Sequence, residues 1–311
     1  MLFQQFFKRS IANSSVGEQP VHLEFQPVGI GAKLHHATLG QLVFAQTFRD
    51  LLSVSHELTS EARDTLQKRV STRLLNHWRV KLEITGLANI GSGPYLIASL
   101  HEGMADVLCL LQLPLGLRFV AREEIFNWQY IGAAITRLGH VAINPERGAL
   151  SFRPLLKAAE RVLAGNESLV IFPQGAVAGI EGDFQRGIFE IGKRLGIPIL
   201  PVVIAGSHRI WEHPHTAKLR YGQRIGIRVL PEISVQVLQN QPLEQVRLQL
   251  QRQMKAVALC GELPAPRHYK PQQDGYWDGY RFDMDPDFPE VYTDFNAHRE
   301  AYLAGLKAKK L

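Results

Sequence analysis

One histidine–carboxylate spacing carries the chemistry of this chain. In Leu96-Ile-Ala-Ser-Leu-His101-Glu-Gly-Met-Ala-Asp106-Val-Leu-Cys-Leu-Leu111, an apolar run from Tyr95 to Leu100 meets His101, and Asp106 follows five residues on. An imidazole whose Nδ1–H is held by a carboxylate keeps its other nitrogen for taking a proton from a hydroxyl, as a general base does. On one ideal helix the two residues would point about 140° apart, at roughly 100° per residue, too far to bond. They meet where a strand ends at His101 and the next helix starts at Asp106, the crevice in which open α/β sheets keep their chemistry. With twelve His and ten Asp in the chain, chance supplies about 0.4 such spacings, so the pair needs context. Alone it reads first as a buried histidine bonded to a neighbouring acid.

Other chemistries find less support. Cys109 and Cys260 make no metal-binding spacing and no supported disulfide, a reducing, cytosolic pattern. No Gly-x-Ser-x-Gly elbow is present, and Ser99 sits inside the strand leading to His101. The acids between 276 and 290 superficially resemble a calcium loop but lack its ligand pattern and closing Glu. Neither a metal nor a cofactor is expected. The net charge is +6, while residues 274–294 alone carry Asp274, Asp278, Asp283, Asp285, Asp287, Glu290 and Asp294, so the remainder is more basic than the total. A basic body can meet nucleic acid, anionic lipid or a phosphorylated substrate. Nucleic acid is not expected, because no basic helix with interleaved aromatics occurs.

The elements that must position the pair follow from periodicity. An irregular arm (10–36) precedes two helical stretches between Thr38 and Asn76, the first with an apolar stripe of Leu39, Leu42, Val43, Phe44, Phe48, Leu51 and Leu52. Short apolar strands then alternate with helices. The strands are Val80–Thr85, Tyr95–Leu100, Arg118–Ala121, Gly139–Ile143, Ser168–Phe172 and Ile197–Ala205, with two more around Gly222. Helices are predicted at 124–138, 152–163, 184–195 and 242–259. This alternation predicts an α/β fold: a largely parallel sheet flanked by helices, with an N-terminal helical hairpin and an irregular C-terminal tail. The boundaries read as 1–76 for arm and hairpin, 77–262 for the α/β domain, and 263–311 for an aromatic and acidic extension closing in a helix. No apolar run reaches 18 residues, so no spanning helix is expected. Met1–Arg9 reads as a frayed terminus or small membrane foot rather than a signal peptide.

Four segments in this order resemble the glycerolipid acyltransferase family, best known from the 1-acylglycerol-3-phosphate acyltransferases. His101-Glu-Gly-Met-Ala-Asp106 is similar to the family's His-x4-Asp, and Phe119–Phe126 through Gly139–Ile143 to its second block. Val170-Ile-Phe172-Pro173-Gln174-Gly175 resembles Phe-Pro-Glu-Gly, and Ile197–Ile204 the apolar strand with an internal proline. The resemblance spans about residues 75–230. It implies acyl transfer from an acyl carrier protein or coenzyme A thioester to a lysophospholipid or other lipid hydroxyl, at the cytoplasmic face of a membrane and peripherally bound. His101 and Asp106 are the catalytic residues on this reading. Phe172, Pro173, Gln174, Gly175, Arg122 and Arg147 form the substrate site, with Arg118, Arg137 and Arg186 as further candidates for a phosphate.

Two departures bear on the substrate. The third block usually continues Glu-Gly-Thr-Arg-Ser, whereas this chain has Gln174-Gly175-Ala176-Val177-Ala178. The second block often ends Ile-Asp-Arg; here it is Ile143-Asn144-Pro145, with Arg147 two positions late. The leading expectation is transfer to 1-acylglycerol-3-phosphate. The alternatives are a less charged hydroxyl lipid as acceptor, or a catalytically idle lipid-binding relative.

Overall fold

The computed structural model describes residues 41–54, 58–127, 131–175, 177, 179–210 and 221–267, with isolated positions further on. Seven strands appear in chain order: β1 (Lys81–Thr85), β2 (Leu96–Ser99), β3 (Leu117–Arg122), β4 (Val141–Ile143), β5 (Ser168–Ile171), β6 (Ile199–Ala205) and β7 (Arg224–Val229). They form one sheet in the order β1-β7-β6-β2-β5-β3-β4. From β6 to β4 every pairing is parallel, while β7 runs antiparallel to β6 and carries β1 parallel to itself. The largely parallel α/β sheet expected from the alternation is therefore present.

Burial follows position in that sheet. Every residue of β2, β5 and β6 is buried, as continuous apolar runs flanked on both sheet faces must be, whereas the edge strand β1 alternates exposed and half-buried. The described helices are α1 (Gln41–Leu52), α2 (Ser60–His77), α3 (Asp106–Leu110), α4 (Glu123–Phe126), α5 (Ile131–Arg137), α6 (Phe152–Ala164), α7 (Gly187–Leu195), α8 (Val235–Asn240) and α9 (Leu243–Leu259). In α6 the buried residues Leu155, Ala158, Ala159, Val162 and Leu163 recur at helical spacing and face the sheet. The Thr59 hydroxyl caps α2 by accepting from Ala62 N–H at 3.2 Å. The α1–α2 pair is the expected hairpin, and α2 packs on α3, the helix that begins at Asp106.

Three expectations shift. The stretch predicted as one helix over 124–138 contains α4 and α5 as separate pieces. Instead of starting at Phe184, α7 starts at Gly187, because the Phe184 backbone is held by the next layer: its N–H donates to Gln251 and its C=O accepts from Arg247. One strand, β7, is described near Gly222, and residues 211–220 lie outside the described residues, as do the N-terminal arm and almost all of the acidic extension.

Candidate active site

The parallel strands deliver the site from their C-terminal ends. Ala98 of β2 pairs with Ile171, the last residue of β5, and with Pro201 of β6, so β2 and β5 finish within one residue of each other while β6 runs three residues past Val202, the partner of Ser99. His101 follows β2, Phe172 follows β5, and Gly206–His208 follow β6. His101 Nδ1 lies 2.7 Å from Asp106 Oδ2, with His101 on the loop after the strand and Asp106 opening α3, the geometry their spacing requires. The Phe172 ring stacks on the imidazole at 3.9 Å between centroids and 15° between planes, which fixes its plane as the carboxylate fixes its edge.

Asp106 is fully buried and its oxygens are saturated. Besides the imidazole, Oδ2 accepts from Glu102 N–H at 2.7 Å and Gly103 N–H at 3.0 Å, and Oδ1 accepts from Ser207 Oγ. A buried carboxylate is tolerated when its lone pairs are met in this way. With Nδ1 engaged, Nε2 is the nitrogen left to meet a substrate on a ring that keeps 16% of its side-chain surface exposed. Both cysteines lie apart from this chemistry. Burial, and then the charge of Asp106, push the Cys109 thiol well above its ordinary pKa, which starves it of nucleophilic thiolate. Ser99 is fully buried within β2, and its hydroxyl donates to Leu100 C=O.

Gln174 is turned inward. Its Oε1 accepts from His101 N–H at 3.0 Å, and its amide nitrogen donates to Gly179 C=O and Gly182 C=O. With 4% of its surface exposed and each amide group spent on the protein, it braces the loop behind His101 rather than meeting a substrate hydroxyl, the role its place in the motif suggested. The buried Pro173 accepts from Gln185 N–H at 2.7 Å, and Gly175 sits exposed at φ +70°, a left-handed turn that glycine adopts without strain. Val177, where a basic residue was looked for, is buried.

The candidate arginines divide by location. Arg122 ends β3 and Arg147 lies in the turn after β4, both on the same edge of the sheet as His101. With about 4.8 Å between strands, β3 lies about 10 Å from β2 and β4 about 14 Å. Arg122 is thus the nearer, though its Nε pairs with Glu124 Oε2 at 3.4 Å. Arg147 is exposed. The others do not reach the site. Arg118 is fully buried at the opposite end of β3, bonded to Asp64 at 2.6 Å and to Glu167. Arg137 donates to Val54 C=O at 3.0 Å, and Arg186 faces Glu190 and Glu244.

Four residues with no role assigned from sequence complete the surroundings. Glu102, Ser207, His208 and Arg267 converge behind the His101 loop. Only Glu102 lies inside the motif; the others come from 100 or more residues away, with no local spacing to mark them. Among the described residues no cluster of His, Cys, Asp and Glu could hold a metal ion.

Comparison with known proteins agrees with this geometry. Residues 81–205 match the family model described as Acyltransferase. The chain is 29% identical over 146 residues to a chloroplastic 1-acyl-sn-glycerol-3-phosphate acyltransferase of Brassica napus, a match covering 46% of this chain and 42% of that protein. It is 32% identical over 135 residues to the enzyme of the same name from Helicobacter pylori, covering 40% and 55%. In both cases the chain spans well under two thirds of its relative. The fold is similar to that of the 1-acyl-sn-glycerophosphate acyltransferase PlsC from Thermotoga maritima, with a TM-score of 0.52 and 16% identity over 74% of this chain and 92% of that one. Six of the seven strands, with His101 and Asp106 at their C-terminal edge, lie inside the segment 81–205 that matches the Acyltransferase family model.

Proposed function

We propose that this protein transfers a fatty acyl group from an acyl thioester to the free hydroxyl of 1-acylglycerol-3-phosphate. The observation that carries the reading is the 2.7 Å bond from His101 Nδ1 to a buried Asp106, on a ring stacked by Phe172. His101 Nε2 takes the proton as the hydroxyl oxygen attacks the thioester carbonyl, and Asp106 holds the imidazolium. The tetrahedral intermediate collapses with cleavage of the C–S bond, and the thiolate leaves and recovers the proton. No acyl-enzyme is formed, in keeping with a buried Ser99 and a Cys109 held as thiol. The donor is the thioester of acyl carrier protein or coenzyme A.

A second reading, a less charged hydroxyl lipid as acceptor, is favoured by the buried Val177 and by the sharing of Arg122 with Glu124. One assay separates the two: labelled acyl thioester with lysophosphatidic acid or with an uncharged monoacylglycerol, using wild type, Arg122→Ala and Arg147→Ala. Transfer to lysophosphatidic acid that falls in Arg122→Ala supports the first reading. Transfer confined to the uncharged lipid supports the second, and no transfer to any hydroxyl lipid removes both.

The protein acts, on this reading, while bound peripherally to a membrane, at its cytoplasmic face. Among the described residues no helix is long and apolar enough to cross a bilayer. Leu42 and Leu52 of α1 are more than half exposed, and Lys68 and Arg69 line the outer face of α2, a combination suited to an anionic lipid surface. Release from membranes by alkaline carbonate or high salt is expected; extraction by detergent alone would contradict it.

A further inference from the structure

The residue after the proposed base is a fully buried glutamate with no part in the chemistry just described. Glu102 accepts three well-formed hydrogen bonds from two distant segments. Gly206 N–H donates at 2.8 Å and His208 Nδ1–H at 3.1 Å, both from the turn after β6, and Arg267 N–H donates at 2.9 Å to the other oxygen. Ser207, between the first two donors, also bonds Asp106. A buried carboxylate costs several kcal/mol unless its oxygens are satisfied, so its partners are held as firmly as it is.

The surrounding backbone is shaped to let those donors reach Glu102. Gly206 has φ +92°, and a Cβ there would stand 2.7 Å from Arg224 C=O and 2.9 Å from Pro264. Gly179, whose N–H donates to His101 C=O at 2.9 Å, has φ +58°, and a Cβ there would stand 2.6 Å from Arg267 C=O. The chain that follows α9 thus presses on both loops flanking His101: one through Glu102, the other through Gly179. Buried Leu263 and Arg267 anchor it there.

We propose that Glu102 is a positioning residue, which sets the place of His101 and Asp106 from behind by tying their loop to the 206–208 turn and to the backbone of Arg267. The first residues of the C-terminal extension are accordingly part of the catalytic apparatus. This rests on the acyl-transfer reading for its kinetic consequence, but not for its structural one. Glu102→Gln replaces one acceptor oxygen with a donor that faces N–H groups. Arg267→Pro removes that backbone N–H along with the side chain, and Arg267→Ala removes the side chain while keeping the N–H.

The test uses the full-length chain and two readouts. In the transfer assay, Glu102→Gln and Arg267→Pro should lower kcat by about 100-fold, the scale of a ~1 Å misplacement of a catalytic group, with KM for the acceptor little changed. Arg267→Ala should fall much less. Independently of turnover, the downfield proton resonance of His101 Nδ1–H on Asp106 should broaden or move in Glu102→Gln and Arg267→Pro, in protein shown to be folded by circular dichroism. An unmoved resonance in folded variants overturns the proposal, as does equal loss in Arg267→Ala and Arg267→Pro. A His208→Ala variant that raises KM for the acceptor with kcat unchanged would also overturn it, by making this cluster a substrate contact. A wild-type protein without transferase activity would count against the acyl-transfer reading, and the resonance would still decide the role of Glu102.

Discussion

Two histidines stand near the two ends of the parallel strands, and their surroundings give them opposite properties. His101, at the C-terminal edge, directs Nδ1 to a carboxylate and keeps part of its ring exposed. His140, before β4, accepts at Nδ1 from Phe119 N–H at 3.1 Å, so this nitrogen carries no proton. Burial, and then the nearby Arg118 and Arg63 cations, lower its pKa to about 3. Each ring meets a phenylalanine, Phe172 or Phe119, but the charged neighbour of His101 is an anion and those that act on His140 are cations. One sheet therefore holds an imidazole bonded through Nδ1 to a carboxylate and another whose surroundings refuse a proton. An imidazole is fitted to catalysis by which of its nitrogens the fold occupies, and with what sign of charge.

The largest expected effect sharpens that contrast. His101→Ala should lower the transfer rate by about 10²–10⁴-fold, the usual worth of a positioned base, while the thermal unfolding midpoint stays close to wild type. His140→Gln, which keeps a side-chain acceptor for Phe119 N–H, should leave the rate near wild type. Comparable loss of rate in both variants, measured on purified folded protein, would erase the distinction.

Next comes the cluster around Arg118. This guanidinium is fully buried between Asp64 of α2 and Glu167 at the start of β5, and it fastens the helical hairpin to the sheet. Arg118→Met leaves Asp64 without its cation and Glu167 with only Arg63, 3.5 Å away, which should destabilise the fold by about 3–5 kcal/mol. Urea unfolding measures this, and kcat per folded molecule should be retained. If instead kcat falls with stability unchanged, Arg118 acts on the substrate and the two ends of the sheet are not functionally separate.

How much of this could be read from the chain differs between the two ends. His101 and Asp106 were legible because strand end, turn and helix start are local, and alternating apolar runs marked the parallel strands around them. The fastening of Glu102 to Gly206, His208 and Arg267 was not, since those partners lie 104 to 165 residues away and carry no common spacing. Arg118 looked like a candidate for a phosphate because its charge is visible in sequence and its burial is not. Gln174 was misleading in another way. As a motif residue it looked like a substrate contact, but two carbonyls fixed by the fold, of Gly179 and Gly182, claim its amide nitrogen.

That last arrangement predicts a smaller effect at the catalytic end. Gln174→Glu installs the residue of the Phe-Pro-Glu-Gly motif that this segment resembles, yet it points a carboxylate at two carbonyl oxygens and removes the donor both require. A loss of about 1–3 kcal/mol is expected from unsatisfied buried groups. Unchanged stability in chemical denaturation would mean that the loop rearranges easily, and that the brace behind His101 is weaker than its bonds imply.

The last effect belongs to the other end and appears only in acid. His140 binds a proton near pH 6.5 in the unfolded chain and only near pH 3 in the folded one. Between these values the unfolded state holds more protons, so lowering the pH favours unfolding, by at most about 1.4 kcal/mol per pH unit. Above pH 6.5 both states carry neutral imidazole and the term vanishes. At pH 5.5 the loss from this one group reaches up to about 1.4 kcal/mol, and it grows toward pH 3. His140→Gln cannot take up the proton, so its unfolding free energy, measured in urea from pH 7.5 to 4.5, should decline less steeply than that of wild type by up to one proton. Parallel curves would mean that His140 protonates as readily folded as unfolded. The cations around it would then not exclude the proton, and the opposition between the two histidines would rest on position alone.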